Sequence, residues 1–260
     1  MSVTFITGAS SGIGRSLALR LAAAGDTVAA VAQRQDLLDS LVQEIEASGG
    51  RALAMACDVT DRDQVGAAVR TAEAELGPID RLIANAGGGQ KTEVESFRAA
   101  QIEALLALNV VGVANCIEAV LPGMLERGAG HLIATSSLAA YRGLPGAAAY
   151  SAAKAALTNM MESLRIDLAP KGIDVTVLAP GFVRTKPHKK AKPLQMELER
   201  ATMLMCRAIA ARKRFYAFPL PLAAGAALGW SLPAALYDRL MAGRGAKAKS
   251  AKGAAAPAPD

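Results

Sequence analysis

Between the apolar run Val3–Thr7 and a helical run over 11–24, the chain reads Thr7-Gly8-Ala9-Ser10-Ser11-Gly12-Ile13-Gly14. Three glycines at such a junction leave the backbone bare where it must turn tightly and approach a ligand. The helix that follows presents free N–H groups and a partial positive charge, which suits a phosphate. A glycine triplet by itself also marks ordinary turns. Strand, loop and helix agree here, so the segment is read as the opening of a dinucleotide-binding βαβ unit.

The next 170 residues sustain that reading. Short β-rich runs at 27–32, 52–56, 81–84, 131–135 and 174–178 alternate with helical patterns at 36–48, 62–76, 95–121 and 148–168. Strand–helix alternation of this kind predicts a parallel sheet covered on both faces. Pro122 and Gly123 are expected to stop the long helix that starts near Glu95, and Gly25 to cap the first one. At 260 residues and 52% apolar composition the chain can bury a full core, which excludes disorder for most of it. Cys57, Cys116 and Cys206 stand far apart. They form no CxxC pair or Cys/His cluster, so neither a disulfide framework nor a zinc site is expected, and a reducing, cytoplasmic setting follows. The first residues read as a strand and not as a secretory signal.

Charge divides the chain. Residues 1–183 hold 14 Lys and Arg against 19 Asp and Glu, whereas 184–260 hold 15 against 4. The expected organisation is a dinucleotide-binding core over 1–185, then a helix, last strand and apolar appendage over 186–242 in the same domain. A disordered Ala/Lys/Pro tail covers 243–260. Phe215–Phe218 is read as the final strand. The run 215–237 carries no charge and is long enough to cross a bilayer, but Pro219, Pro221 and Pro233 interrupt it. Folding back over the core, packing on a neighbouring subunit and lying on a membrane surface all remain open for it. Nucleic acid is not an expected partner, since the basic segment lacks a recognition motif.

Further motifs fall at the ends of these strands. Asn85-Ala86-Gly87 follows the fourth, Ser136-Ser137 the fifth, and Pro180-Gly181 the sixth. Asn109 lies in Leu108-Asn109-Val110, and Tyr150-Ser-Ala-Ala-Lys154 opens a helix. Tyr150 and Lys154 are one turn apart and share a helix face. A phenol near pKa 10 exchanges protons poorly at neutral pH, and a nearby ammonium should lower that value. Such pairs also occur without consequence. Ser137, at the carboxyl end of a strand where these sheets bind ligands, argues against an idle pair.

Taken together, over roughly residues 3–185, these motifs resemble the short-chain dehydrogenase/reductase family. The resemblance implies a Rossmann-type, doubly wound, seven-stranded parallel sheet in one domain, and an NAD(P)-dependent oxidoreductase that interconverts a carbonyl and an alcohol. It implies that Tyr150 exchanges the proton, Ser137 positions the substrate oxygen, Lys154 holds the nicotinamide ribose, and Asn109 anchors a relay water. Ser136 and Tyr141 are the alternatives to Ser137 and Tyr150. Cofactor contacts are expected from Gly8, Ser10, Ser11, Gly12, Ile13, Gly14, Asp58, Val59, Asn85, Ala86 and Gly87. Pro180, Gly181, Val183 and Thr185 are expected along the nicotinamide. Gln33 stands where NAD-preferring relatives carry Asp, and Arg34 where NADP-preferring ones carry a base, so NADP is favoured over NAD. A small carbonyl or alcohol substrate of apolar, lipid-like character and a homo-oligomeric state are expected. A membrane-associated or cofactor-sensing protein that keeps the fold is the competing reading. His131, His188, Cys116, Met203 and Met205 are read as structural.

Overall fold

Strands that are apolar on both sides can sit only inside a sheet with two covered faces. Val3–Thr7 (β1) and Thr27–Ala32 (β2) are of this kind, and Arg51–Ala56 (β3), Ile79–Ala84 (β4), Gly130–Thr135 (β5) and Ile173–Pro180 (β6) join them. A two-residue ribbon pairs Val183–Arg184 (β7) with Met196–Glu197 (β8), and Phe215–Phe218 (β9) closes the series. The computed structural model describes residues 2–185 and 194–242. In it β3-β2-β1-β4-β5-β6-β9 form one seven-stranded parallel sheet. The expected loop over 186–193, including His188, and the expected disordered tail over 243–260 lie outside the described residues.

Neighbouring side chains on each strand serve opposite faces. Phe5, Leu82, Leu132 and Val177 pack with Val69, Val120 and Leu157 from Arg62–Leu76 (α3), Gly112–Arg127 (α5) and Ala148–Leu168 (α6). Ile6, Ile83, Ile133 and Leu178 pack with Leu17, Leu41 and Met205 from Gly12–Ala23 (α1), Gln35–Ala47 (α2) and Leu198–Ala210 (α7). The sheet is thus wound on both sides, and all its strands point their carboxyl ends to one edge.

One expected helix is corrected. The segment read as a helix over 95–121 begins at Ala99 (α4, Ala99–Leu106), widens into a π-helical turn at Ala107–Val111, and runs on as α5 to Arg127. Pro122 lies inside α5. Proline removes one main-chain hydrogen bond, but the fully buried Met124 beyond it keeps that turn on the core. The helix ends instead at Gly128, where φ of +61° lets the chain reverse and its N–H reach the Leu125 carbonyl. Residues 99–127 are long and apolar enough to cross a membrane by composition, yet they pack on the sheet here.

The charge-free run 215–237 divides into β9, a twelve-residue helix Leu220–Ser231 (α8), and the start of a helical segment over 234–242. It folds back on the core. Leu222 and Ala223 pack with Leu138 and Ala179. Arg142 Nη1 donates to the Gly229 and Leu232 carbonyls, both at 2.7 Å, and its guanidinium lies 4.1 Å from the Tyr237 ring centre. Tyr237 Oη donates in turn to the Gly143 carbonyl at 2.7 Å.

Candidate active site

The glycine loop is shaped by what would not fit there. Gly8 has φ of +67°, and a Cβ on it would stand 2.9 Å from Ala86 Cα; one on Gly14 would stand 2.2 Å from the Gly8 carbonyl oxygen. Loop and helix therefore close on each other only as glycines. Thr7 Oγ1 accepts from the Asn85 and Ala86 N–H groups at 3.0 Å, which ties the loop after β4 to the loop after β1. Ser11 precedes α1 in an extended conformation with no side-chain cap, so the first-turn N–H groups are not taken by a neighbouring side chain. A Cβ on Gly12 would stand 3.4 Å from Thr185 Cγ2, which brings the chain after β6 against the same helix end. The cradle fits a pyrophosphate.

At the tip of β2, Arg34 Nη2 donates to Ser10 Oγ at 3.0 Å and Ser11 Oγ at 3.1 Å, so the guanidinium sits on the rim of the glycine loop. Gln33 Nε2 donates to Asp58 Oδ2 at 2.8 Å. Asp58 Oδ1 accepts from the Thr60 N–H and hydroxyl, and these bonds hold its carboxyl below the usual range.

The groups expected to react gather at the carboxyl end of β5. Ser136 turns away into α6, where its hydroxyl bonds Thr158 Oγ1 at 2.7 Å and the Lys154 carbonyl at 3.2 Å. Ser137 faces the other way: its hydroxyl hydrogen-bonds the Tyr150 phenol and accepts from the Ala139 N–H at 3.1 Å. Lys154 is buried, with Nζ donating to the Thr135 carbonyl at 2.8 Å and lying 5.9 Å from the Tyr150 ring centre. Burial brings its ammonium down to about 8. It also pushes the Tyr150 phenol up, with the Ser137 bond working in the opposite direction. Lys154 and an oxidised nicotinamide are expected to depress the phenol together; in the protein alone burial sets the direction, which is upward.

Asn109 sits in the π-helical turn, fully buried, with Nδ2 donating to the Leu105 and Gly88 carbonyls at 2.9 and 3.1 Å. Its Oδ1 is buried without a partner among the described residues. A Cβ on Gly87 would lie 2.8 Å from that oxygen and 3.3 Å from Lys154 Nζ, so two polar atoms converge on one bare glycine.

These pieces border a single cleft of about 580 Å³. Gly8, Ser10, Ser11, Gly12, Ile13 and Arg34 line one end of it, and Asp58, Val59, Asn85, Ala86 and Gly87 the floor. Ser137, Tyr150, Lys154, Pro180, Gly181, Val183 and Thr185 line the other end. Gly14 and Asn109 stand behind the wall and shape it. Sequence reasoning missed Thr135, whose backbone carbonyl holds the lysine, and Gly88 and Gly89. A Cβ on Gly89 would meet the Tyr150 ring at 2.8 Å; the three consecutive glycines at 87–89 were the available signal. A second hollow, about 420 Å³ between α3 and α5, is bordered by Arg62, Asp63 and Glu118.

The described groups read as structural do not line the cleft, and neither does Tyr141, the alternative to Tyr150. His131 bonds Thr176 Oγ1 at 2.8 Å inside the sheet, and Cys116 is buried with its thiol pushed up to about 12. Tyr141 packs edge-on against Phe215. Met205 is buried in the core. Among the described residues no group of three His, Cys, Asp or Glu could hold a metal.

The sequence profile of the short chain dehydrogenases matches residues 2–195. An uncharacterized oxidoreductase of Myxococcus xanthus is 41% identical over 236 residues, covering 90% of this chain and 93% of that protein. The solved short-chain dehydrogenase from Streptomyces avermitilis is 30% identical and superimposes with a TM-score of 0.78, covering 98% of this chain and 100% of the other. An alcohol dehydrogenase from Thermococcus sibiricus, solved with 5-hydroxy-NADP, is 25% identical at a TM-score of 0.76, covering 84% and 95%. The chain belongs to the short-chain dehydrogenase/reductase family and is an oxidoreductase of the CH–OH/C=O type.

Proposed function

We propose that this protein is an NADP(H)-dependent reductase that interconverts a carbonyl and a secondary alcohol on an apolar, lipid-like molecule. The observation that carries the reading is the convergence of Ser137, Tyr150 and Lys154 at the carboxyl end of β5, with a glycine cradle at the far end of the same cleft. The cradle suits a dinucleotide because only a bare backbone closes it. When bound, that cofactor supplies or accepts the hydride. Gly8, Gly12 and the first turn of α1 would hold its pyrophosphate, and Pro180, Gly181, Val183 and Thr185 would border the nicotinamide.

Arg34 is the NADP-selecting group. It sits on Ser10 and Ser11, no carboxylate occupies the tip of β2, and a guanidinium offers paired donors to a 2′-phosphate. Asp58 and Val59 would border the adenine.

In the chemical step Ser137 donates to the substrate oxygen and Tyr150 moves the proton to or from it. Lys154 holds the ribose hydroxyls and brings a positive charge under the phenol. Asn109 Oδ1 and Lys154 Nζ, which face each other across Gly87, would hold a relay water between them. Leu138 and Leu222 close on Gly181 from behind the nicotinamide end, and the apolar appendage that carries Leu222 supports a hydrophobic substrate.

A cofactor-sensing protein would not need the whole Asn, Ser, Tyr and Lys set, and the set is complete. We place the enzyme in a reducing, cytoplasmic setting as a homo-oligomer, in keeping with its free cysteines and its family.

Steady oxidation of NADPH against a panel of apolar ketones tests the reading. Tyr150→Phe is expected to bind NADPH normally and lose turnover by roughly 10²–10⁴-fold, the usual worth of a general acid. Near-normal turnover in that variant would remove Tyr150 from the chemistry.

A further inference from the structure

Helix α8 departs from the rule that a surface helix hides its apolar side. Leu222, Ala223, Ala226 and Gly229 turn toward the fold, yet the outward side carries no charge either. Leu220 is 78% exposed, Leu228 64% and Trp230 67%. The surface continues into the helical segment over 234–242, where Leu236 and Leu240, one turn apart, are also exposed. A helix apolar on all sides is ordinarily buried, in a core or in lipid. A protein partner would cover one face and leave a polar rim around it. Here the fold takes one side of α8 and the outward side offers apolar side chains without a charged one, so the match is to a medium into which that side can insert.

Charge selects which medium. From Leu236 onward the sequence holds Arg239, Arg244, Lys247, Lys249 and Lys252 against Asp238 as far as residue 252. Arg239 lies on the exposed helical segment itself, and the other four follow within a dozen residues of its last described turn. Exposed apolar side chains beside a run of cations are what an anionic bilayer binds, the first by insertion and the second by attraction to headgroups. Arg142 and Tyr237 fix both helical segments to the loop that follows Ser137. The apolar surface is therefore held rigidly beside the cleft.

We infer that α8 and residues 234–242 form a docking surface for an anionic phospholipid bilayer, with Leu220, Leu228, Trp230, Leu236 and Leu240 entering the headgroup layer. This goes beyond the oxidoreductase reading and does not depend on it.

Trp230 is the single tryptophan of the chain and sits on that surface, so its emission reports docking directly. The full-length protein is titrated with vesicles of phosphatidylcholine alone and of phosphatidylcholine with phosphatidylglycerol. The expected result is a blue shift and quenching by brominated lipid only on the anionic vesicles. Leu220→Asp with Leu228→Asp should abolish the shift while melting behaviour and NADPH binding stay normal, since both positions are exposed. Replacing Lys247, Lys249 and Lys252 by Gln should weaken partition roughly five-fold per lysine removed, from about 1 kcal/mol for each cation near the surface. An unchanged spectrum on anionic vesicles overturns the inference. So does equal binding to neutral vesicles. A blue-shifted Trp230 in lipid-free buffer that tracks a dimer lost on Leu228→Asp would assign the surface to a second copy and overturn it as well.

Discussion

Arg34 makes its two hydrogen bonds to the serines of the glycine loop, which is where the proposed NADP reading puts the 2′-phosphate. Arg34→Ala is expected to raise the KM for NADPH by about ten- to a hundred-fold, the worth of a charged hydrogen bond of about 1.5–3 kcal/mol, and to leave NADH nearly unaffected. Steady-state kinetics with both cofactors check this. Lys154 gives a pH prediction. Its ammonium, brought down to about 8 by burial, is intact at neutral pH and lost above that value. Dinucleotide affinity should therefore fall as pH rises from 7 to 9, and the fall should vanish in Lys154→Met. Fluorescence titration of NADPH across that range measures it, and a flat wild-type profile would contradict the role given to the ammonium. The residues that sequence reasoning located on the cleft were those with distinctive polar side chains, such as Ser137 and Tyr150. Thr135, Gly88 and Gly89 escaped because they act through a carbonyl or through missing atoms. The direction of the Tyr150 shift in the protein alone escaped too, since spacing reveals a neighbouring cation but not the burial of the phenol.

At the scale of elements, the six strands before residue 181 were legible to within two residues, because runs apolar on both faces have few other ways to fold. The helix over 95–121 was not. Local propensity makes Pro122 a stop, but burial of Met124 holds the helix together past it, and only Gly128 offers the left-handed exit. The widened turn at Ala107–Val111 was equally hidden, although it is what carries Asn109 inward. The contact between the appendage and the loop after Ser137 supplies a further prediction. Arg142→Ala removes two hydrogen bonds and the Tyr237 ring contact. It should raise the KM for ketone and lower kcat together, by roughly ten-fold if about 1–2 kcal/mol of positioning is lost, with NADPH binding unchanged. Arg142→Lys should recover part of the effect. A change in thermal stability without any change in kinetics would reduce the contact to a structural one.

Considered whole, the molecule is a parallel sheet whose middle is chemically dry. His131 lies there between β5 and β6, bonded to Thr176, with its imidazole brought down to about 4 chiefly by burial. The Arg212 and Arg81 cations add to that shift, and Asp174 opposes it. The unfolded chain takes up this proton near 6.5 and the folded chain only near 4. Stability from this group is thus complete above pH 6.5 and is lost on descending to 4, by about 3 kcal/mol at most. His131→Asn should be less stable than wild type at neutral pH. The gap should narrow between pH 7 and 4.5, as read by denaturant unfolding. A constant gap would mean that the imidazole takes up its proton at the same pH in the folded and the unfolded chain, and would contradict the depressed value.

The grip of Arg142 has one more consequence. It holds main-chain oxygens of Gly229 and Leu232 and no side chain there, so it is indifferent to which residues those positions carry. Outer positions of the appendage can be rewritten wholesale, toward greasier or more watery surroundings, and the loop bearing the reactive serine would not register the change. If the appendage docks on a bilayer as inferred, the fold separates where the enzyme would reside from what it converts, and the first can drift while the second stays fixed.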